Sequence, residues 1–207
     1  MVAAFGHACG SQRILRGEQL FRTGRVAISE EGVKEGRFII KARVSSQDRR
    51  SKAPDGGYST SVVFAPLSAD ETKAAVDFIL STEAWRRIVA LVQSGMKLDD
   101  ACCRVEAEPL IRALETKGIN LITVNWEGCA AANCSCGDAS AEWCKHSAAL
   151  FYSALAACDS NPFHPFKLRC FDIQGLLSCK KRPRQDDVVI DLVSDTGSDA
   201  EHAIDCS

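Results

Sequence analysis

Two cysteines one residue apart, Cys134-Ser-Cys136, are followed after seven residues by Cys144-Lys-His146, and no other feature of the chain restricts its folding so tightly. Two thiols at that spacing can face a single point only from a tight turn or hairpin. A Cys and a His two residues apart can do so at the first turn of a helix. Three thiolates and one imidazole make a tetrahedral donor set, the closed shell of a structural Zn2+ site with no position left for water. The competing account is four reduced residues in an ordinary cysteine-rich core. A free-cysteine core seldom sets a His two residues after its third Cys.

The segment after His146 carries Ala148, Phe151, Tyr152 and Leu155 at helical spacing. A helix starting near Cys144 should therefore dock through that stripe and orient His146, whose second ring nitrogen should find a carbonyl or carboxylate. Upstream, Phe38, Ile40, Ala42 and Val44 alternate with Ile39, Lys41 and Arg43, and Tyr58, Thr60, Val62 and Phe64 alternate likewise. These read as two strands with one buried face, and Leu20–Ile28 reads as a third. Between them Ser45–Gly57 is polar and ends in Pro54-Asp55-Gly56-Gly57, a turn sequence. From residue 69 to 118 the pattern is helical. Ser68-x-x-Glu71 is a capping box, and Trp85, Ile88, Val89 and Val92 form an apolar stripe that Gly95 should end. Asp99-Asp100 or Glu106–Pro109 opens the next helix. Leu121–Val124 reads as a short strand leading to the cysteines. The fold class is α+β: a small antiparallel sheet, then helices, then a zinc-bound hairpin and helix, then a disordered tail.

The end of the constellation, Cys144-Lys-His146-Ser-Ala-Ala149, has the form C-x-H-x-x-A. With Cys134 and Cys136 it resembles the SWIM zinc finger, a family found in bacterial proteins linked to Swi/Snf-type ATPases, in Mutator-type transposases and in eukaryotic recombination accessory proteins. Leu20-Phe21-Arg22-Thr23-Gly24-Arg25-Val26, the run before Ala42-Arg43-Val44, and Asn161-Pro162-Phe163 through Leu168-Arg169 look like the flanks of the bacterial type. The likeness covers about residues 16–172. It departs from the pattern at Gly137-Asp138, where Pro-Asp or Pro-Tyr is common, and no ATPase motif accompanies it. It implies an N-terminal arm (1–15), an α+β region of SWIM-associated type (16–128), the finger and its following segment (129–172), and a tail (173–207).

The remaining cysteines read as structural or incidental thiols. Cys129 lies close enough to compete as a ligand, but the C-x-C already supplies the first pair. Cys102 and Cys103 are adjacent on a helix and face different ways. Cys158, Cys170 and Cys179 have no paired His. His164 reads as loop packing. Eleven cysteines would suggest disulfides in a secreted chain. Here no charged n-region and apolar h-region open the sequence, and with a metal spacing present the thiols read as reduced. No run approaches the ~20 apolar residues that cross a bilayer.

Charge is segregated although the net value is only −2. Residues 1–52 are rich in Arg and Lys, and Arg22, Arg25 and Arg43 are candidate phosphate contacts should the front of the chain meet DNA. A solvated basic surface is the plainer account. Lys180-Lys181-Arg182-Pro183-Arg184 is a compact cluster of the kind importins read as a nuclear signal. It precedes Asp186-Asp187-Val188-Val189-Ile190-Asp191-Leu192-Val193-Ser194-Asp195, and residues 185–207 contain no Lys or Arg. An apolar, β-prone run flanked by acids in a polar tail resembles a SUMO-interacting motif, with Val188–Val193 adding a strand to an exposed sheet edge. A chance apolar patch, or a short strand that packs on the finger domain, is the alternative.

Enzymatic readings lack residues to carry them. The chain has no phosphate-binding G-x-x-x-x-G-K-[ST] loop, no dinucleotide fingerprint and no deaminase signature. A closed Cys3His shell leaves no coordination site for hydrolysis. Two functional classes remain. One is a non-enzymatic nuclear adaptor (a cytoplasmic one being the alternative), whose finger binds protein or DNA and whose tail binds SUMO or SUMO-modified proteins. The other is an accessory subunit or fragment of a DNA-processing enzyme such as a transposase, helicase or recombination complex.

Overall fold

The computed structural model describes residues 11–45, 56–121, 130–138 and 143–178. Most of the N-terminal arm, Ile122–Val124 and Cys129 of the segment before the hairpin, Cys179, the basic cluster and the Val188–Val193 run lie outside the described residues.

The two alternating segments pair as read. Strands β2 (Arg37–Val44) and β3 (Tyr58–Phe64) run antiparallel, with Phe38 opposite Phe64, Ile40 opposite Val62 and Ala42 opposite Thr60. All six side chains are buried, because a two-residue period puts every second residue on one face. Gly56 and Gly57 enter β3 at φ of 91° and 92°, and a Cβ at Gly57 would lie 2.6 Å from the Val44 carbonyl oxygen. Strand β1 (Val26–Lys34) pairs with β2 through the two-residue turn Glu35-Gly36, and a bulge lies between Ile28 and Glu30. Strand β4 (Ala130–Cys134) pairs with β3 on the other side, so the sheet order is β1-β2-β3-β4, all antiparallel.

Helix α1 (Ser11–Arg22) replaces the first half of the third strand expected over Leu20–Ile28. Leu20 is 3% exposed on its last turn. Gly24 stops the helix at φ 66°, with Gly24 N–H bonded to Phe21 O and Arg25 N–H to Leu20 O. That bond pair is a Schellman motif, and only from Val26 does the chain extend. The helix starts at Ser11, so part of the 1–15 arm is ordered structure.

Helices α2 (Ala69–Ser81), α3 (Glu83–Gln93) and α4 (Ala101–Thr116) build a separate helical core. Ser68 and Glu71 make the expected capping box: Glu71 N–H donates to Ser68 Oγ at 3.2 Å, and Ser68 N–H to Glu71 Oε2 at 2.8 Å. Trp85 and Ile88 are buried, Val89 and Val92 half-buried, and Gly95 follows the last turn of α3 at φ 99°. Of the two starts considered for α4, Asp100 is the N-cap. Pro109 lies inside the helix on its exposed side, where solvent can reach the carbonyl that loses its bond.

Helix α5 (Lys145–Ser160) lies under the buried face of the sheet. The ring of Phe151 stacks on Phe64 at 6.2 Å and meets Trp143 edge-on at 6.1 Å. More than one stripe of α5 is buried, since α1 packs on it as well and places Gly17 against Ala148. Short helices α6 (His164–Leu168) and α7 (Ile173–Ser178) follow. They join the two cores, with Leu168 in the sheet core and Phe163, Phe166, Phe171 and Ile173 in the helical one. The architecture is α+β, as read. No helix among the described residues is long and apolar enough to cross a membrane.

Candidate metal centre

The C-x-C pair sits where β4 ends. Thr60 Oγ1 donates to Asn133 O at 3.0 Å, Ser135 N–H to Ser59 O at 2.9 Å and Ser59 N–H to Ser135 Oγ at 3.0 Å, so β3 holds the knuckle from its flank. Gly137 turns the chain at φ 68°. Arg13 of α1 reaches Asp138 Oδ1 at 3.2 Å, tying the first helix to the residue just past the pair.

The second pair stands at the start of α5, as the spacing predicts. Cys144 is the N-cap, and its sulfur accepts from Ser147 N–H at 3.5 Å while Cys144 N–H donates to Ser147 Oγ at 3.0 Å. A capping box therefore forms with sulfur in the place of a hydroxyl. The cap holds Cys144 still and aims the positive end of a sixteen-residue helix at its sulfur.

The four ligand atoms of Cys134, Cys136, Cys144 and His146 all lie within 4.8 Å of one another. His146 Nδ1 is 3.7 Å from Cys134 Sγ and 3.8 Å from Cys144 Sγ. Zn–S bonds of about 2.3 Å and Zn–N bonds of about 2.0–2.1 Å set tetrahedral edges of roughly 3.5–3.8 Å, so these spacings suit one ion at the centre. The cluster can hold a metal ion and is compatible with a zinc finger. Cys144 and His146 are buried and the other two thiols half-buried, which shields the centre from competing water.

Hydrogen bonding and burial shift the thiols in different directions. A hydrogen bond from the Cys134 thiol, with others from His146 and Ser147, holds the Cys144 thiol well below its ordinary value against the effect of burial. The same bond to Cys144, with burial, pushes Cys134 up, and burial raises Cys136. A metal ion takes all three as thiolates, so its binding releases protons.

His146 departs from expectation at its second nitrogen. Nε2 is buried with no hydrogen-bond partner. The imidazole is positioned instead by Tyr58, whose ring centroid lies 4.5 Å away at a tilt of 39°, and by the packed first turn of α5. With a metal on Nδ1 the proton resides on Nε2. Sequence reasoning missed Tyr58, Ser147 and Arg13. Only Ser147 had a signal, as a residue able to close a box three positions after the cap.

The arginines considered for phosphate contact lie apart from the centre. Arg22 pairs with Glu18 at 2.6 Å along α1. Arg43 is exposed opposite Ala27 and Ser59, in a cross-strand row that Ser135 continues. Arg25 adjoins it, accepting from Ser45 N–H through its carbonyl. Arg25 and Arg43 thus share the knuckle's end of the sheet, and Arg22 is already ion-paired.

Of the other described cysteines, Cys103 and Cys158 are buried packing residues and Cys170 is half-buried. Cys102 is exposed and Cys103 buried on one turn of α4, facing different ways as expected. Burial pushes the Cys158 thiol up to about 12 and raises Cys103 and Cys170. His164 begins α6, edge-on to Phe38 at 6.3 Å. Burial lowers its pKa, with Lys167 adding to the shift and Glu31 opposing it.

The chain matches no protein-family model, no curated protein and no solved structure. The identity of the centre therefore rests on its four side chains and their mutual distances.

Proposed function

We propose that this chain is a non-enzymatic nuclear adaptor built around a structural Zn2+ ion in a SWIM-type finger, with a tail that binds SUMO or SUMO-modified proteins. The observation that carries the reading is the convergence of Cys134, Cys136, Cys144 and His146 ligand atoms within 4.8 Å. A donor set of three thiolates and one imidazole fills the tetrahedron, so the ion's task is to staple β4 to α5 rather than to activate water. The finger then presents a rigid surface to a protein or DNA partner, while Val188–Val193 supplies a strand for a SUMO edge and Lys180, Lys181, Arg182 and Arg184 an import signal.

Arg25 and Arg43, exposed at the same end of the sheet as the knuckle, support DNA as a partner. Contacts of that kind would weaken steeply with salt and alike for all sequences.

Metal analysis of the purified protein should find one zinc per chain, lost on Cys136→Ala. Protein free of zinc, or full retention in that variant, sinks the finger. A peptide of residues 186–195 titrated into labelled SUMO should shift resonances along its open β-edge with an affinity of about micromolar to tens of micromolar. Silence there removes the tail from the proposal and leaves the finger standing.

A further inference from the structure

A groove of about 980 Å³ opens between the α3–α4 loop and the α6–α7 segment. Val92, Met96, Leu98, Phe171, Ile173 and Leu177 give it an apolar floor. Val92, Met96, Leu98 and Leu177 are half-buried against the helical core, so each keeps a minority of its surface open to an occupant. Two of the charges at the rim are engaged: Lys167 Nζ bonds Glu31 Oε1 at 2.8 Å, and Asp172 Oδ1 accepts from Gly175 N–H at 2.8 Å.

We propose that the occupant is the chain's own tail, with residues 188–193 docked in this groove. The place where the described chain stops argues for it. Leu177 forms part of the groove in the last turn of α7, which ends at Ser178. Ten residues further on begins Val188-Val189-Ile190-Asp191-Leu192-Val193, the longest apolar run beyond that point. Ten extended residues span up to about 33 Å, so the run reaches a groove whose lip its own chain leaves. In extended form Val188, Ile190 and Leu192 share one face that carries no charge, and Asp191 points the other way. That face matches the apolar floor and leaves the carboxylate in water.

Tethering makes even a weak contact effective. A short flexible linker gives an effective concentration of about millimolar. A run that binds the groove with an intrinsic Kd of about 100 μM is then docked roughly nine-tenths of the time. The consequence for SUMO rests on the tail reading above: a docked run is unavailable, and apparent SUMO affinity falls by the fraction left free, about tenfold.

Amide hydrogen exchange on the full-length, zinc-loaded protein tests the docking without recourse to SUMO. Amides of 188–193 should exchange about tenfold slower than in the free tail peptide, at every protein concentration tried. Leu98→Asp and Met96→Asp should each remove that protection. Ile190→Asp with Leu192→Asp should in turn speed exchange across residues 94–99 with zinc content unchanged, and this arm serves even where a groove variant fails to fold. Tail amides as fast as in the free peptide overturn the proposal. So does protection that survives both groove variants, or protection that appears only at high concentration and so belongs to a second copy. Groove-dependent protection in a protein that shows no SUMO binding upholds the docking and defeats the SUMO reading alone.

Discussion

Cys144 is both one of the four residues that can hold a metal ion and the N-cap of α5, and the two roles separate on substitution. Serine is among the best N-cap residues and a poor partner for a soft metal site, whereas alanine is neither cap nor ligand. Both Cys144→Ser and Cys144→Ala should therefore lose zinc. In metal-free protein, the alanine variant should be the less stable by about 1 kcal/mol, the usual worth of a cap. Parallel denaturant titrations measure that gap, and equal midpoints would show that a side-chain cap at position 144 adds nothing to the stability of α5. The ligand set was legible because all four residues fall within a dozen positions of one another, where spacing is geometry. Tyr58 was not, since it meets His146 only after the sheet has formed and nothing local marks a Tyr that will cover an imidazole.

Helix α1 shows how element boundaries escape a periodicity argument. Leu20–Ile28 reads as one strand, yet Gly24 divides the segment between a helix C-terminus and a strand start, as its positive φ and the two Schellman bonds record. The glycine was visible in the sequence, but α1 is chosen by tertiary contact, through Gly17 and Ile14 packed against α5 and the core beneath it. Gly17→Ala tests that contact. Helix propensity favours alanine by about 1 kcal/mol. The new Cβ, however, would lie 2.6 Å from Ala148 Cβ, 2.9 Å from Lys145 O and 3.0 Å from Ala149 N. Two of those three atoms are backbone and cannot rotate aside, so overpacking of about 1–3 kcal/mol should win. The variant should melt several degrees lower and release zinc to a chelator faster, because the displaced turn carries Cys144 and His146. The α2 cap makes a prediction in pH. The Ser68 backbone N–H and hydroxyl, with Arg169 nearby, hold the Glu71 carboxyl below its ordinary value of 4.5. A depressed carboxyl stabilises the fold fully above the unfolded pKa and loses that contribution as pH falls through the folded one. Wild type should therefore be more stable than Glu71→Gln at pH 7, and the difference should begin to shrink as pH falls below 4.5 and vanish only once pH has passed below the lowered folded value. A gap that persists in acid would assign the effect to shape rather than charge.

At the scale of the molecule, the described residues form two large hydrophobic cores, and the candidate metal centre adjoins only one of them. Sheet, α1 and α5 surround the first core, α2, α3 and α4 the second, and Phe163 to Ile173 runs between them with Leu67 N–H bonded to Arg169 O at 3.1 Å. The sequence reading anticipated a sheet region and a helical region but not that the residues after the finger are what binds them together, because Phe163, Phe166 and Phe171 carry no periodicity that names a destination. Zinc removal should respect this division. A structural zinc is worth about 10–16 kcal/mol in peptides whose whole fold depends on it. Here β4 is the short edge strand, held by pairing with β3 and, on the proposed reading, by the ion, whereas α5 beyond its first turn keeps Phe151, Ala154 and Cys158 in the sheet core. Chelation should accordingly unfasten residues 130–138 and the first turn of α5, leaving the rest of α5 and all of α2, α3 and α4 folded. Peptide-resolved hydrogen exchange before and after a strong chelator reads this directly. Amides around Ala131–Cys136 and Cys144–Ala148 should lose protection, and those around Trp85–Val92 and Leu110–Leu114 should hold theirs. Simultaneous loss of protection throughout the molecule would mean that the connecting segment transmits the failure and that the two cores form a single cooperative unit.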